Sequence, residues 1–291
     1  MKDFFSDLRD IVGTGFVARV LIKVRENDLL GLAGQLTYFF LLSFFPFLIF
    51  LVALAGLVLD DPESAVRRLI GESAGFLPSE AVELLVAYLD RTLRGTGSGV
   101  LVFGIVTTLW MGSAASISIT KAANRAYGLD ETRPFWKLRG TSVLLALGFT
   151  LLMAALSLVA FGVEIFVGRL GEALGPLLAL WDVARWAGAF AVVTAALSVL
   201  YYLAPDAQVP FKWITPGGFA ATVLMFVASA SLSFYASRLG NYDRIYGQLG
   251  AVIVFMLWLY AMGLMVLVGV EINAVLARRV EEKKGVELVH E

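Results

Sequence analysis

The side chains with the clearest chemical potential are an acid and an amide near the C-terminus. Glu271 and Asn273 follow residues 245–270, a run of 26 residues without a charged side chain. Ionisable groups at membrane depth are costly unless they pair with one another or face water. We therefore expect Glu271 to pair with Lys121 or Arg125, and Asn273 to satisfy a backbone group. The alternative is that Glu271 only marks the boundary with water.

Further polar side chains stand at the corresponding ends of other apolar segments, where they would share the depth of Glu271. Amide, hydroxyl and basic groups that converge at one depth can bind the polar part of a ligand or line its path. We predict a polar cavity inside the bundle that opens towards the cytoplasm and is lined by Gln35, Tyr38, Lys121, Asn124, Arg125, Tyr201, Tyr202, Glu271 and Asn273.

The chain lacks the residue patterns of the common catalytic and metal sites. It has no cysteine, and its one histidine, His290, lies in the polar tail. Thiolate metal sites and serine–histidine nucleophiles are therefore excluded, and the phosphate-binding pattern GxxxxGK[ST] does not occur. With 23 basic and 24 acidic residues, the chain has no basic excess for nucleic acid. We predict neither an enzyme nor a cofactor or metal site.

The elements that must position these groups are membrane helices. Hydrophobic residues make up 59% of the 291 residues and charged residues 16%, whereas soluble domains carry about 25% charged residues. Charge-free runs long enough to cross about 30 Å of hydrocarbon explain the difference. We predict an all-α integral membrane protein with six spans, at 29–59, 95–120, 140–163, 186–205, 213–237 and 245–270.

The distribution of basic residues predicts the orientation. Fifteen basic residues lie in the segments on one side of the membrane, which are those before span one and after spans two, four and six. The segments on the opposite side carry eight. The positive-inside rule places the first group, and with it both termini, on the cytoplasmic side of the membrane. Residues 1–28 are predicted as an interfacial helix, 62–94 as external amphipathic helices, 29–277 as the transmembrane domain and 278–291 as a cytoplasmic tail.

Small residues and one proline predict where the spans touch or bend. Gly104 and Gly112 belong to a four-residue repeat of small side chains in span two, and Gly217 begins a similar stripe in span five. Such stripes favour close helix packing, although a hydrated path lined by their hydroxyls is the alternative. Pro46 should kink span one, either as a packing device or as a hinge. Gly250 marks a place of close backbone approach in span six.

Three stretches resemble the YihY/BrkB family of bacterial inner-membrane proteins. They are LTYFFLLSFFPFLIF in span one, LAPDAQVPFKWITPGGFAA before span five, and YDRIYGQLGAVIVFMLWLYAMGLMVLVGVEINAVLARR through span six. Their order and spacing cover nearly the whole chain. The resemblance implies an all-helical membrane protein with about six spans. Lipid or envelope-related transport has been proposed for some members, and a ribonuclease BN label has also been attached to the family.

The leading functional prediction is a transporter or flippase-like carrier of a lipid or amphiphile. Polar stripes, a kinked first span and the lack of a sizeable soluble catalytic domain favour it. The alternatives are a non-transporting envelope assembly or scaffold protein, with envelope protein partners, and a small-solute channel. A groove that opens sideways to lipid would favour a carrier of amphiphiles. A narrow polar bore would favour a channel, and a solid bundle would favour a scaffold. Dispersed acidic residues make ribonuclease activity the least expected function.

Overall fold

Helices form all of the regular structure in the part of the chain that the structure describes. The computed structural model describes residues 15–56, 98–170, 175–206, 215–238 and 248–284, with the isolated positions 82 and 86. We number the helices in chain order: α1 Phe16–Glu26, α2 Leu29–Gly56, α3 Ser98–Tyr127, α4 Phe135–Leu170, α5 Gly175–Leu203, α6 Pro216–Arg238 and α7 Gln248–Lys284. The predicted external helices at 62–94 fall almost entirely outside these described residues.

Four of these helices contain segments that are long and apolar enough to cross a membrane. The segments are Phe135–Leu152, Trp186–Leu203, Pro216–Tyr235 and Gly250–Arg279, and Leu29–Phe44 is a shorter apolar segment. An all-α membrane protein is therefore confirmed. The predicted count of six spans stays a prediction.

The two largest differences from the boundaries expected from hydropathy are at the end of α7 and the start of α5. Helix α7 does not end at Val270 but continues to Lys284, because residues 271–284 are mostly good helix formers and include neither glycine nor proline. The apolar segment at 175–181, which is too short to cross a membrane by itself, begins α5. Pro176 is compatible with this start because the first turn of a helix needs no backbone donor there.

Buried side chains from five helices, α2, α3, α5, α6 and α7, form one core. Much of this core is alanine, which lets the helix backbones approach closely. Its fully covered members include Leu36, Ala123, Ala204, Ala221 and Ala274. The bundle is thus built around the α7 helix that carries Glu271 and Asn273.

Helix α1 packs against the C-terminal half of α7. Phe16 and Val20 are buried against Val275, and the Arg279 guanidinium lies 5.6 Å from the centre of the Phe16 ring. The expected interfacial helix at 1–28 therefore corresponds, in its described part, to a helix with one face on the bundle. Its other face exposes apolar side chains, among them Leu21, as a helix at a membrane surface would.

The small residues of α6 and α7 meet at a close crossing. A Cβ atom added at Gly217 would overlap the carbonyl oxygen of Gly269, and one added at Gly269 would lie 2.7 Å from the Cβ of Ala221. At this crossing the stripe of α6 serves helix packing. Likewise, a Cβ at Gly112 of α3 would lie 3.3 Å from the Cβ of Ala146 in α4.

The other predicted packing and hinge positions lie within helices. Pro46 lies within α2, which runs as one helix from Leu29 to Gly56, and its hinge role stays a prediction. Gly104 lies within α3. Gly250 is buried near the start of α7.

Candidate functional site

A groove runs along the outside of the bundle where α2, α3 and the start of α4 meet. It consists of two adjoining cavities of about 550 and 420 Å³, which share Tyr38, Phe39 and Ala114 and are open on one side. We call this the lateral groove. Its other lining residues are Gly34, Gln35, Leu42, Trp110, Met111, Ile117, Ser118, Lys121, Phe135, Trp136 and Arg139.

The lateral groove brings together three of the nine residues predicted for a polar cavity. Gln35 and Tyr38 come from α2 and Lys121 comes from α3. They share this groove because α2 and α3 pack side by side. The groove, however, lies on the surface of the bundle, whereas the prediction placed the cavity in its interior.

Aromatic rings and a guanidinium form the α4 side of the lateral groove. The Arg139 guanidinium carbon lies 4.1 Å from the ring centre of Trp110, a cation–π arrangement. Arg139 Nη2 also donates to the Trp110 carbonyl at 3.4 Å, and Arg139 Nε is buried without a hydrogen-bond partner. Trp136, 82% exposed, stands at the edge of this part. Sequence reasoning missed Trp110 and Arg139. An arginine beside a span end is a signal of an interfacial site, whereas Trp110 lies in the middle of the predicted span at 95–120 and carries no such signal.

Glu271 is buried inside the bundle, only 1% exposed, and its partner is not the one predicted. Asn27 Nδ2 donates to Glu271 Oε2 at 2.9 Å, while Glu271 Oε1 is buried without a hydrogen-bond partner. Lys121 and Arg125 are both exposed. The expected pairing of Glu271 with one of these bases is therefore wrong, and so is the alternative that Glu271 only marks the water boundary.

The turn between α1 and α2 places Asn27 against Glu271. The Asn27 amide donates to the Lys23 carbonyl at 2.9 Å, which closes α1. Asp28 then has a φ of 53°, in the left-handed region that aspartate tolerates better than most residues. This reversal starts α2 at once and leaves the Asn27 side chain facing α7. The short polar turn was the available signal for Asn27, but its partner could not be read from it.

Asn273 makes the backbone contact expected of it, at the buried start of α6. Its Oδ1 accepts from the Gly217 amide at 2.7 Å, and its Nδ2 donates to Thr215 Oγ1 at 3.2 Å. Thr215 Oγ1 also accepts from the Gly218 amide at 3.0 Å. Because the first amides of a helix have no partner within the helix, Thr215 and Asn273 cap α6 together.

Tyr201 and the hydroxyls of α5 extend this buried polar contact. Tyr201 Oη donates to the Val266 carbonyl at 2.7 Å, so it ties α5 to α7. Thr194 Oγ1 donates to Thr222 Oγ1 at 3.0 Å, and Ser198 Oγ accepts from the Thr215 amide at 3.0 Å. These groups fasten α5, α6 and α7 together and do not line the lateral groove.

Asn124 belongs to a third polar site, which joins the loop after α3 to the end of α5. Its Oδ1 accepts from the Asp206 amide at 2.8 Å, and its Nδ2 donates to Glu131 Oε2 at 2.8 Å. Gly128, with a φ of 74°, ends α3 in the left-handed conformation common after helix C-termini. That turn directs the following residues back towards Asn124.

Arg133 is the centre of this third site. Its Nε and Nη2 donate to the two Glu131 oxygens at 2.7 and 2.8 Å, and Nη2 also donates to the Ala204 carbonyl at 3.0 Å. Thr132 donates to Asp206 Oδ2 from its amide at 2.8 Å and from its hydroxyl at 2.6 Å. We call Asn124, Glu131, Thr132, Arg133 and Asp206 the loop clamp.

The loop clamp stabilises both of its carboxylates in their charged form. The hydrogen bond from Arg133 is the main cause that lowers the pKa of Glu131. Hydrogen bonds from Thr132 lower the pKa of Asp206 in the same way. Donors that bond to a charged carboxylate favour the charged form. The clamp is therefore strongest when both acids are ionised.

The nine predicted cavity residues thus fall into separate places. Gln35, Tyr38 and Lys121 line the lateral groove, Tyr201 and Asn273 fasten helices, Glu271 meets Asn27, and Asn124 belongs to the loop clamp. Arg125 and Tyr202 are exposed. Among the residues that the structure describes, no group of three or more histidine, cysteine, aspartate or glutamate side chains could hold a metal ion.

Comparisons with known proteins give the family. The family model described as "Virulence factor BrkB" matches residues 20–288. A ribonuclease-like protein of Bacillus subtilis (strain 168), YfkH, is 37% identical over 256 residues, covering 85% of this chain and 90% of that protein. A UPF0761 membrane protein of Alteromonas mediterranea is 24% identical, covering 98% of this chain and 95% of its own length.

Other relatives are longer than this chain. A UPF0761 membrane protein of Nitrosospira multiformis is 24% identical over 93% of this chain but 62% of its own length. The chain thus spans about three fifths of the length of several curated relatives that it matches. No solved structure matches the chain. The match over nearly the whole sequence, together with the apolar helices, shows that this chain is a membrane protein of the YihY/BrkB family.

Proposed function

We propose that this membrane protein is a carrier that moves a lipid or another amphiphile along the lateral groove. The single observation that carries the proposal is that the groove opens on the outside of the bundle, between α2, α3 and the start of α4. Its lining combines apolar and aromatic side chains such as Phe39 and Trp110 with polar ones such as Gln35 and Lys121. An amphiphile needs both kinds of surface.

The proposal includes a topology of six membrane-crossing helices with both termini in the cytoplasm. The lengths of α2 and α3, 28 and 30 residues, support it, because about 20 residues suffice to span the hydrocarbon. The excess of basic residues in alternate segments supports the orientation. In this topology the Lys121 end of the lateral groove lies at the cytoplasmic side. Reporter fusions at both termini that locate them in opposite compartments would contradict it.

The interior of the bundle is consistent with a carrier that keeps a firm frame. Helices α5, α6 and α7 are held by buried hydrogen bonds, such as that from Tyr201 to the Val266 carbonyl. Helices α2, α3 and α4 form the groove on the other side of this frame. A carrier requires one part that stays fixed while another part changes its exposure. We assign the fixed part to α5–α7.

Liposome reconstitution tests the proposed function. Vesicles that contain fluorescent lipids should show faster exchange between leaflets with the protein than without it. Ala114 lines both parts of the lateral groove, so Ala114→Phe should obstruct the groove and slow the exchange. Ala189→Phe adds the same ring to an exposed position of α5 and should leave the exchange at the wild-type rate.

Three results would contradict the proposal or a part of it. Unchanged leaflet exchange with wild-type protein across several lipid compositions would favour the scaffold alternative. Equal exchange by the Ala114 and Ala189 variants would show that the lipid does not use the lateral groove. Passage of small solutes without lipid exchange would favour a channel.

The ribonuclease-like name of the Bacillus relative is not extended to this chain. Glu271 is buried and bonded to Asn27, and Glu131 and Asp206 are held by the loop clamp. Glu131 and Asp206 meet only at Arg133, which pairs with both of them, and Glu271 belongs to a different site. A nuclease would need such groups around a reacting phosphate.

A further inference from the structure

We infer that the lateral groove selects anionic phospholipids, and that Lys121 and Arg139 recognise the phosphate of the headgroup. This inference rests on the proposed function for its setting, but the binding site it describes can be tested separately. The inference depends on the charges that line the groove, on their partners and on the aromatic residues beside them.

The charge of the lateral groove has one sign. Lys121 and Arg139 are its charged lining residues, and none of the described residues that line it is acidic. Neither base forms an ion pair with an acid within the described ranges. Basic side chains near the ends of membrane helices are stabilised by anionic headgroups, and basic pockets between such helices bind them.

The protein holds the Arg139 guanidinium in place but leaves some of its hydrogen-bond donors without a partner. Its guanidinium stacks on the Trp110 ring at 4.1 Å, which limits its freedom without neutralising its charge. Its only hydrogen bond within the described chain is the long one, 3.4 Å, to the Trp110 carbonyl, and Nε has no partner. A guanidinium held flat with donors left over is suited to a phosphate, which can accept from two of its nitrogens at once.

Exposed aromatic residues place this part of the groove at headgroup depth. Phe135 and Trp136, 64% and 82% exposed, lie at the start of α4 and line the same cavity as Arg139. Tryptophan is enriched where hydrocarbon meets headgroups. The phosphate would therefore lie beside Arg139 and Lys121, while the acyl chains follow the apolar lining past Phe39 and Leu42.

Lipid binding by the purified protein tests the inference without any transport. The protein would be equilibrated with equal amounts of phosphatidylglycerol and phosphatidylcholine, and the bound lipids counted by native mass spectrometry. Each base near a headgroup contributes about a fivefold preference, so the two together predict roughly 30-fold enrichment of phosphatidylglycerol. The double variant Lys121→Gln with Arg139→Gln should lose most of it.

A matched variant separates the groove from the charge of the surface. Arg125 and Lys137 are exposed and do not line the groove. The double variant Arg125→Gln with Lys137→Gln removes the same charge and should keep the enrichment. Equal loss in both double variants, or no enrichment in the wild type, would overturn the inference. So would displacement of the bound lipid by inorganic phosphate, which would indicate a site for free anions.

The same proteins in the leaflet-exchange assay distinguish the two proposals. Exchange of both lipids at equal rates would retain the carrier and overturn anionic selection. Enrichment that depends on Lys121 and Arg139, with no exchange of either lipid, would retain the binding site and overturn the carrier. We expect the wild type to exchange phosphatidylglycerol faster than phosphatidylcholine. The double variant Lys121→Gln with Arg139→Gln should exchange both lipids at the same rate.

Discussion

Replacing Gly269 by alanine should disrupt the crossing of α6 and α7. The added Cβ would lie 2.7 Å from both the Ala221 Cβ and the Gly217 carbonyl oxygen, and would overlap the Tyr201 hydroxyl. Ordinary contacts of a Cβ begin near 3.4 Å, so the helices would have to separate by several tenths of an ångström. Overpacking of this kind costs about 1–3 kcal/mol. Since two of the neighbours belong to one helix and cannot rotate away, we expect the upper part of that range.

The higher helix propensity of alanine offsets part of this loss of stability, and a control variant must measure that contribution. Alanine is favoured over glycine inside a helix by about 1 kcal/mol, which leaves a net loss of about 1–2 kcal/mol for Gly269→Ala. At Gly188 of α5 the same substitution meets no atom within 4 Å, and Gly188→Ala should therefore be neutral or stabilising. Unfolding in mixed micelles, followed by circular dichroism, measures both free energies. If the two variants are equally stable, the close crossing is not a real constraint.

Two further predictions concern the hydrogen bonds of the interior and of the loop clamp. Asn27→Ala removes the donor to a buried carboxyl and should lower the free energy of unfolding by about 1–3 kcal/mol. A double-mutant cycle with Glu271→Gln in the same unfolding assay should show that the two substitutions are coupled. Additive losses would contradict the contact. Arg133→Gln should destabilise the protein near neutral pH, and the difference from wild type should shrink as the pH falls below about 4. The sign follows because Glu131 and Asp206 have lowered pKa values in the folded protein, so their stabilisation is present above the ordinary carboxyl range and is lost on protonation. A difference between thermal midpoints that stays constant from pH 7 to pH 3 would contradict this account.

Hydropathy predicts a depth for Glu271 along the membrane normal but could not supply its partner. A run of apolar residues indicates where a helix lies in depth, whereas the rotation of each helix about its axis depends on packing. Lys121 and Arg125 share the predicted depth, yet α3 turns them outwards. Asn27 reaches Glu271 instead, from a turn whose position is fixed by α1 packing on α7.

The packing stripes were more informative than the polar residues, for a physical reason. Small side chains act at the helix on which they occur, so Gly217 could be expected to mark a crossing without knowledge of the partner. Polar groups act in pairs that bring distant parts of the chain together. Arg133 and Asp206, for example, are joined only because the ends of α3 and α5 meet. Neither residue was predicted from the sequence as part of a site.

Helix α7 contains 37 residues and is therefore about 55 Å long. The hydrocarbon layer is about 30 Å thick, and transmembrane helices tilt by at most about 40°. Tilted by 40°, α7 would still extend about 42 Å along the membrane normal, so it continues past the hydrocarbon into the headgroup layer. Because α7 is one continuous helix, a displacement of its C-terminal end is transmitted directly to the buried segment that carries Glu271, which a loop of similar length could not do.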